Sequence, residues 1–137
     1  MDWKRLNPRV IQEFRANAGT VSGFENLPLL ILQTLGARSG RRFDVPLIPV
    51  IEGDGMYLFG TNAGSTKTPA WVFNVRAHPE IVVEGENGHF KAVIQELQPG
   101  EAKTRLENKA EESAQLKAYL SAAHPRIVPV FKVEPAE

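Results

Sequence analysis

Pro46 and Pro49 interrupt the apolar run Phe43–Glu52, and they limit the fold more than any other feature of the chain. A proline offers no N–H to a neighbouring strand, so a strand holding two of them lies at a sheet edge, on a bulge or at a barrel corner. The segments around this run read as short strands and helices. Pro8 is placed to open a helix over about 8–18, with Asn7 as its cap and Gly19 as its stop. Leu29–Leu35 is an apolar strand, and Gly36–Arg42 a turn leading into the proline-bearing strand. Gly53-Asp54-Gly55 marks a hairpin to a third strand, Met56–Gly60. After the polar loop Asn62–Thr68, Thr68 and Pro69 start a second helix that stops at His78-Pro79. Ile81–Glu84 and His89–Leu97 alternate as a hairpin, Gly100–Ala122 reads as one long helix, and Arg126–Val133 as a closing strand.

Strands that mostly neighbour one another, with three helices between them, define an α+β class. Six short strands with Gly and Pro corners suit a small, mostly antiparallel barrel closed on itself, formed by one domain over residues 1–137.

Charge and composition narrow the function. The 16 basic and 16 acidic residues balance, so there is no global field for nucleic acid or an anionic membrane, and any anion site is a local cluster. The absence of Cys removes disulfides, thiolate metal sites and cysteine nucleophiles. His78, His89 and His124 lie on different elements with no HxH or HExxH spacing, so no metal site is expected. No apolar run approaches the roughly 20 residues that span a bilayer, and no signal-peptide pattern opens the chain. A cytoplasmic location is the expectation. Val10, Ile11, Phe14 and Ala18 share a face of the first helix, which either packs on the protein's own barrel or makes a peripheral membrane contact.

Two loops carry the candidate chemistry. Gly36 and Gly40 bracket Ala37-Arg38-Ser39, where positive φ at the glycines would let successive N–H groups turn toward one anion. Ser39 adds a hydroxyl and Arg38 a guanidinium that can fork onto phosphate or carboxylate; the same residues also suit a plain hairpin turn. The second loop, Asn62-Ala63-Gly64-Ser65, runs into Pro69-Ala70-Trp71 at a helix start, where backbone N–H groups favour negative charge. The Trp71 ring either flanks a planar ligand or fills the core. The Asn74 amide, one turn on, either meets a heterocycle's edge or caps local backbone. Phosphate chemistry beside an aromatic surface suggests a phosphorylated, ring-containing cofactor, which would carry the hard chemistry in the absence of GxSxG, GxGxxG or P-loop motifs. Tyr57 and Tyr119 are candidate hydroxyl donors.

Ile11-Gln-Glu-Phe-Arg-Ala-Asn17, Leu29-Leu-Ile-Leu32, Gly36-Ala-Arg-Ser-Gly-Arg41, Pro46-Leu47, Gly64, Pro69-Ala-Trp71, Asn74 with His78-Pro79, and Val128-Pro-Val130 occur in one order along nearly the whole chain. In this the chain resembles the deazaflavin-dependent nitroreductases, also called F420H2-dependent quinone reductases. The resemblance implies a six-stranded split β-barrel that binds coenzyme F420 and passes hydride to a quinone, nitroaromatic or similar small electron-poor acceptor. It implies that Arg38, Ser39, Gly40, Arg41 and Arg42 hold the phosphate and acidic tail. Pro46, Thr61, Asn62, Ala63, Gly64, Pro69, Ala70, Trp71 and Asn74 would flank phosphate and ring. Tyr119 or Thr61 would donate a hydrogen bond to the acceptor oxygen.

Four positions depart from the family pattern. Phe43 and Asn62 stand where relatives carry basic residues, and Ile48 and Val72 where relatives carry tyrosine. Arg42 and Lys67 are the neighbours able to restore charge. The rival expectations are a split barrel binding FMN or haem, and a non-catalytic binder of a lipid or other hydrophobic ligand. Either a monomer or a homodimer is compatible with the resemblance.

Overall fold

The computed structural model describes residues 3–23, 28–53, 55–86 and 88–136, with side chains from residue 7 onward. Its strands are β1 (Leu30–Leu35), β2 (Arg42–Leu47), β3 (Val50–Glu52), β4 (Gly55–Phe59), β5 (Glu80–Gly85), β6 (Gly88–Glu96) and β7 (Val130–Pro135). The helices are α1 (Trp3–Ala16), α2 (Ala70–Ala77), α3 (Pro99–Glu112) and α4 (Ala114–Ala123).

All seven strands join one sheet in the order β2-β1-β5-β6-β7-β4-β3, and every pairing is antiparallel. β2 and β3 are its two edges, yet only Ile48 and Pro49 separate them along the chain. So short a link reaches about 10 Å, so the sheet curls until its edges approach one another. The protein is thus α+β with an open, curled antiparallel sheet.

The prolines explain why there are seven strands and not the expected six. Pro46 sits opposite Ile31 on the edge strand β2, where its missing N–H deprives no neighbour. Pro49 falls at the corner, and the run Phe43–Glu52 breaks there into β2 and β3.

Three helix boundaries also differ from expectation. The first helix covers Trp3–Ala16, not 8–18, and contains Pro8. Pro8 is the sixth residue of the helix, past the four N–H groups that have no intrahelical partner, so the helix runs through it with one i→i−4 bond missing. The helix ends sooner because Ala18 and Gly19 take positive φ (51° and 97°) and the Gly19 N–H closes onto Phe14 O at 2.8 Å. The second helix starts at Ala70 after an extended Pro69, and Thr68 does not cap it. The long third helix is two: Ser113 is extended (φ −133°, ψ 106°), and its side chain caps α4 by accepting the Leu116 N–H.

Helices cover the sheet in three places. The described apolar face of α1, Val10 and Phe14, packs with Val21, Leu29 and Ile31, so these side chains are spent on the protein's own sheet. No described helix is long and apolar enough to cross a membrane. α2 buries Trp71, Val72 and Val75 among Leu30, Leu32, Leu58, Val83 and Phe131. α3 and α4 bring Ala102, Leu106 and Leu116 to Tyr57, Val128 and Val130, with the Arg105 guanidinium 4.0 Å from the Tyr57 ring centroid.

Candidate functional site

α2 is short, and its two faces have separate tasks. Trp71, Val72 and Val75 point inward, while Ala70, Phe73 and Asn74, spaced i, i+3, i+4, share the other side. This second face forms one wall of an open hollow of about 480 Å³. The opposite wall is the β1–β2 turn with Gly36, Ala37, Arg38 and Ser39, and Phe43 of β2 completes the lining. Phe43 and Phe73 are 43% and 51% exposed, so the hollow offers two aromatic rings beside a guanidinium and a hydroxyl.

The turn is built differently from the expected cradle of backbone N–H groups. Gly36 N–H donates to Arg41 O at 2.7 Å and Gly40 N–H to Gly36 O at 2.9 Å. Ser39 Oγ accepts the Arg41 N–H, and Asn74 Oδ1 accepts the Ala37 N–H. Gly40 takes positive φ (70°), whereas Gly36 does not. Gly36 is required for space: a Cβ there would lie 2.5 Å from Ser39 Oγ and 2.9 Å from Phe43 Cε2. With the amides of Gly36, Ala37, Gly40 and Arg41 engaged in this way, the side-chain donors the turn presents to an anion are the Arg38 guanidinium and the Ser39 O–H.

Asn74 therefore caps backbone, the second of its two expected roles. Its Nδ2 lies 3.4 Å from Thr34 Oγ1, and that hydroxyl, the fully buried polar group of β1, donates to Phe43 O at 2.7 Å. Thr34, Phe43, Asn74 and Ala37 thus tie β1, β2, α2 and the turn into one unit.

Several expected site residues stand elsewhere. Trp71 is 6% exposed and packs its ring 5.4 Å from that of Phe131, so it fills the core. Arg42 is engaged with Asp44, Nε to Oδ1 at 2.7 Å and Nη2 to Oδ2 at 2.9 Å. The paired Asp44 carboxylate draws it away from a phosphate-binding task. Arg41 stacks over Phe43 at 5.6 Å, at the rim of the hollow. Pro46 is half-buried in β2 and does not line the hollow.

The second loop is a distinct structure beside the start of α2. Thr61 is right-handed (φ −71°, ψ −29°), and Asn62, Ala63 and Gly64 follow with φ of 48°, 51° and 84°. Left-handed backbone costs a non-glycine residue on the order of 1–3 kcal/mol unless its surroundings impose it. Here they do. Gly64 is pressed onto α4, where a Cβ would lie 3.1 Å from Ala122 Cβ and 3.2 Å from Tyr119 Cα. Asn62 Nδ2 donates to Lys67 O and the Lys67 N–H to Ser65 Oγ. Tyr119, Thr61 and Gly64 are in this way brought together, while Thr61, Asn62, Ala63, Gly64, Lys67 and Pro69 precede Ala70 in the chain and do not line the hollow.

Phe73 and Arg126 are the residues that sequence reasoning missed. The i, i+3, i+4 spacing of Ala70, Phe73 and Asn74 carries a signal for Phe73. Arg126 is three residues beyond α4 and donates to backbone carbonyls of the second loop; no spacing in the sequence points to it.

A curled antiparallel sheet with a cationic, aromatic hollow and an adjoining left-handed loop defines a small α+β ligand-binding domain. Residues 3–135 match the family described as F420H(2)-dependent quinone reductase, and the chain belongs to that family. The F420H(2)-dependent quinone reductase of Mycobacterium tuberculosis is 25% identical over 72 residues, which cover 53% of this chain and 48% of that protein. The match thus spans about half the length of that relative. Among solved structures, an F420-H2 dependent reductase (FDR-A) superposes with TM-score 0.64 at 30% identity, over 78% of this chain and 94% of that one. A chain described as a domain-swapped dimer gives TM-score 0.65 at 30% identity, over 93% and 96%.

Proposed function

We propose that this protein is an F420-dependent oxidoreductase and that its curled sheet is a split barrel, with β2 and β3 forming one strand bent at Ile48-Pro49. The observation that carries the reading is the hollow between the β1–β2 turn and α2. It presents Arg38 and the Ser39 hydroxyl next to Phe43, Phe73 and Ala70, a donor set suited to a ligand with an anionic tail and a flat ring. Arg38 and Ser39 hold the tail, with Arg41 at the rim. The phenylalanine rings supply apolar surface and exclude water from one side of the ligand.

When bound, reduced deazaflavin supplies a hydride for an electron-poor acceptor such as a quinone. The chain's share is orientation. The Thr34–Asn74–Ala37 bonds fix the turn against α2, and the loop over Thr61–Gly64 is fixed against α4. Thr61 and Tyr119 sit at that second junction, where a hydroxyl can donate to the acceptor oxygen. Titration of the protein into F420, read as loss of cofactor fluorescence, tests the reading. Saturable binding at micromolar concentrations together with quinone-dependent oxidation of F420H2 is expected. Tight binding of FMN or haem without F420 binding overturns it.

A further inference from the structure

Arg126 forms no ion pair among the described residues, and burial alone moves its pKa, downward. Among the described residues its guanidinium bonds go to backbone carbonyls of one loop. Nη1 donates to Gly60 O at 3.0 Å, Nη2 to Thr61 O at 2.9 Å, and Nε and Nη2 both to Ser65 O at 3.1 Å. A guanidinium is the side chain suited to this, because its donors lie in one rigid plane and can span several acceptors.

The direction of those bonds has a geometric consequence. In a trans peptide the C=O of one residue and the N–H of the next point opposite ways. With the carbonyls of Gly60 and Thr61 drawn to Arg126, the N–H groups of Thr61 and Asn62 point away from it. Thr61 is right-handed and Asn62 left-handed, the sequence of conformations that makes neighbouring N–H groups converge on an electronegative atom. The N–H groups of Gly64 and Ser65, by contrast, are closed within the loop onto Thr61 O and Asn62 O. Asn62 and Ala63 are exposed, so the converging donors lie at the surface and not in the core.

We infer that Arg126 is a positioning residue: its guanidinium clasps the carbonyls of Gly60, Thr61 and Ser65 and thereby aims the N–H groups of Thr61 and Asn62 at oxygen atoms of the bound cofactor. This assignment rests on the F420 reading of the site and adds a residue remote from the hollow's lining. Both geometry and charge contribute. Arg126 holds the left-handed turn, and its positive charge, paired with no carboxylate among the described residues, lies behind outward-facing donors.

Three proteins test it: wild type, Arg126→Lys and Arg126→Gln. Lysine keeps the charge but cannot span three carbonyls; glutamine keeps one donor group and no charge. Amide hydrogen exchange is read by peptide, and F420 affinity by fluorescence. In both variants, exchange over residues 60–66 should accelerate at least tenfold, with α1 and β1 unchanged, and the F420 Kd should rise roughly tenfold or more. Unchanged exchange in that segment overturns the inference, as does a Kd within twofold of wild type. Full rescue by lysine of both readouts shows that charge alone matters and overturns the clasp. Should the glutamine variant fail to fold, the lysine variant decides on the same two readouts. A wild-type protein that does not bind F420 overturns the reading of the site and the cofactor half of this assignment, while the exchange measurement still decides whether Arg126 holds the turn.

Discussion

Asn74 Oδ1 accepts the backbone N–H of Ala37 at 3.0 Å, across 37 positions of sequence. That bond joins the solvent face of α2 to the β1–β2 turn and so fixes the width of the hollow between them. The same amide reaches Thr34 Oγ1 on the buried side, so one side chain registers the site against the sheet.

Asn74→Ala should cost about 0.5–1.5 kcal/mol of stability, the usual net worth of such a hydrogen bond, because the exposed Ala37 N–H regains water. Asn74→Asp keeps the acceptor for Ala37 and should lose less, yet it places a negative charge on the hollow's wall and should weaken F420 binding more than the alanine variant does. Urea denaturation and fluorescence titration of the two variants check the crossed order.

Arg38 and Arg42 are separated by what each already holds. Arg38→Ala should weaken F420 binding by about 1.5–3 kcal/mol, the value of a charge-assisted contact. Arg42 is bound to Asp44, and Arg42→Ala should leave cofactor affinity within twofold and lower stability by less than about 1 kcal/mol, as for an exposed ion pair. Equal losses of affinity in both would mean that Arg42 leaves Asp44 for the cofactor.

Much of this architecture was legible because it depends on local backbone chemistry. Pro46 and Pro49 announced an edge or a corner, and both are present, with β2 at the edge and Pro49 at the bend. Apolar alternation located the β5–β6 hairpin. The site was less legible, because neighbouring residues in sequence diverge in space. Trp71 and Ala70 are adjacent, but a rotation of about 100° per residue sends one ring into the core and leaves the other side chain on the hollow. Arg41 and Arg42 are likewise adjacent, and strand alternation leaves one over Phe43 and the other on Asp44. The break at Ser113 had a local capping signal that helical periodicity on both sides concealed. The partners of Arg126 are set by tertiary packing alone.

Gly36→Ala tests whether the turn needs glycine for room. The backbone there is not left-handed, so any penalty comes from the new Cβ meeting Ser39 Oγ and Phe43 Cε2. Overpacking of this kind costs about 1–3 kcal/mol. Pairing it with Phe43→Leu and Ser39→Ala should recover most of that loss, and a coupling energy above about 0.5 kcal/mol in a double-mutant cycle would locate the clash. Strict additivity would place the cause in the backbone instead.

The network behind the first loop predicts how stability responds to acid. Arg15 Nη2 lies 2.6 Å from Glu84 Oε2 and 2.7 Å from Asp44 Oδ2, so α1 is bonded to both β5 and β2. The Glu84 carboxyl is held below its ordinary value of 4.5 chiefly by the Arg15 hydrogen bond, with burial opposing and Gln33 assisting. For Asp44 burial is the largest influence and pushes upward, but the hydrogen bonds from Arg42 and Arg15 and their charges together outweigh it, leaving the carboxyl below 3.8. Both folded-state values are depressed, so the unfolded chain binds more protons in acid. The stabilisation is therefore complete above the unfolded values and is lost as pH falls through the folded ones, in the range below about 4.5. Because Arg15 is 41% exposed, solvent screening limits the network to about 1 kcal/mol. Urea midpoints between about pH 7 and pH 3 should fall for the wild type, and Glu84→Gln should start lower at neutral pH and fall less steeply. Parallel curves for the two proteins would mean that Glu84 contributes nothing to the acid response and that other carboxylates carry it.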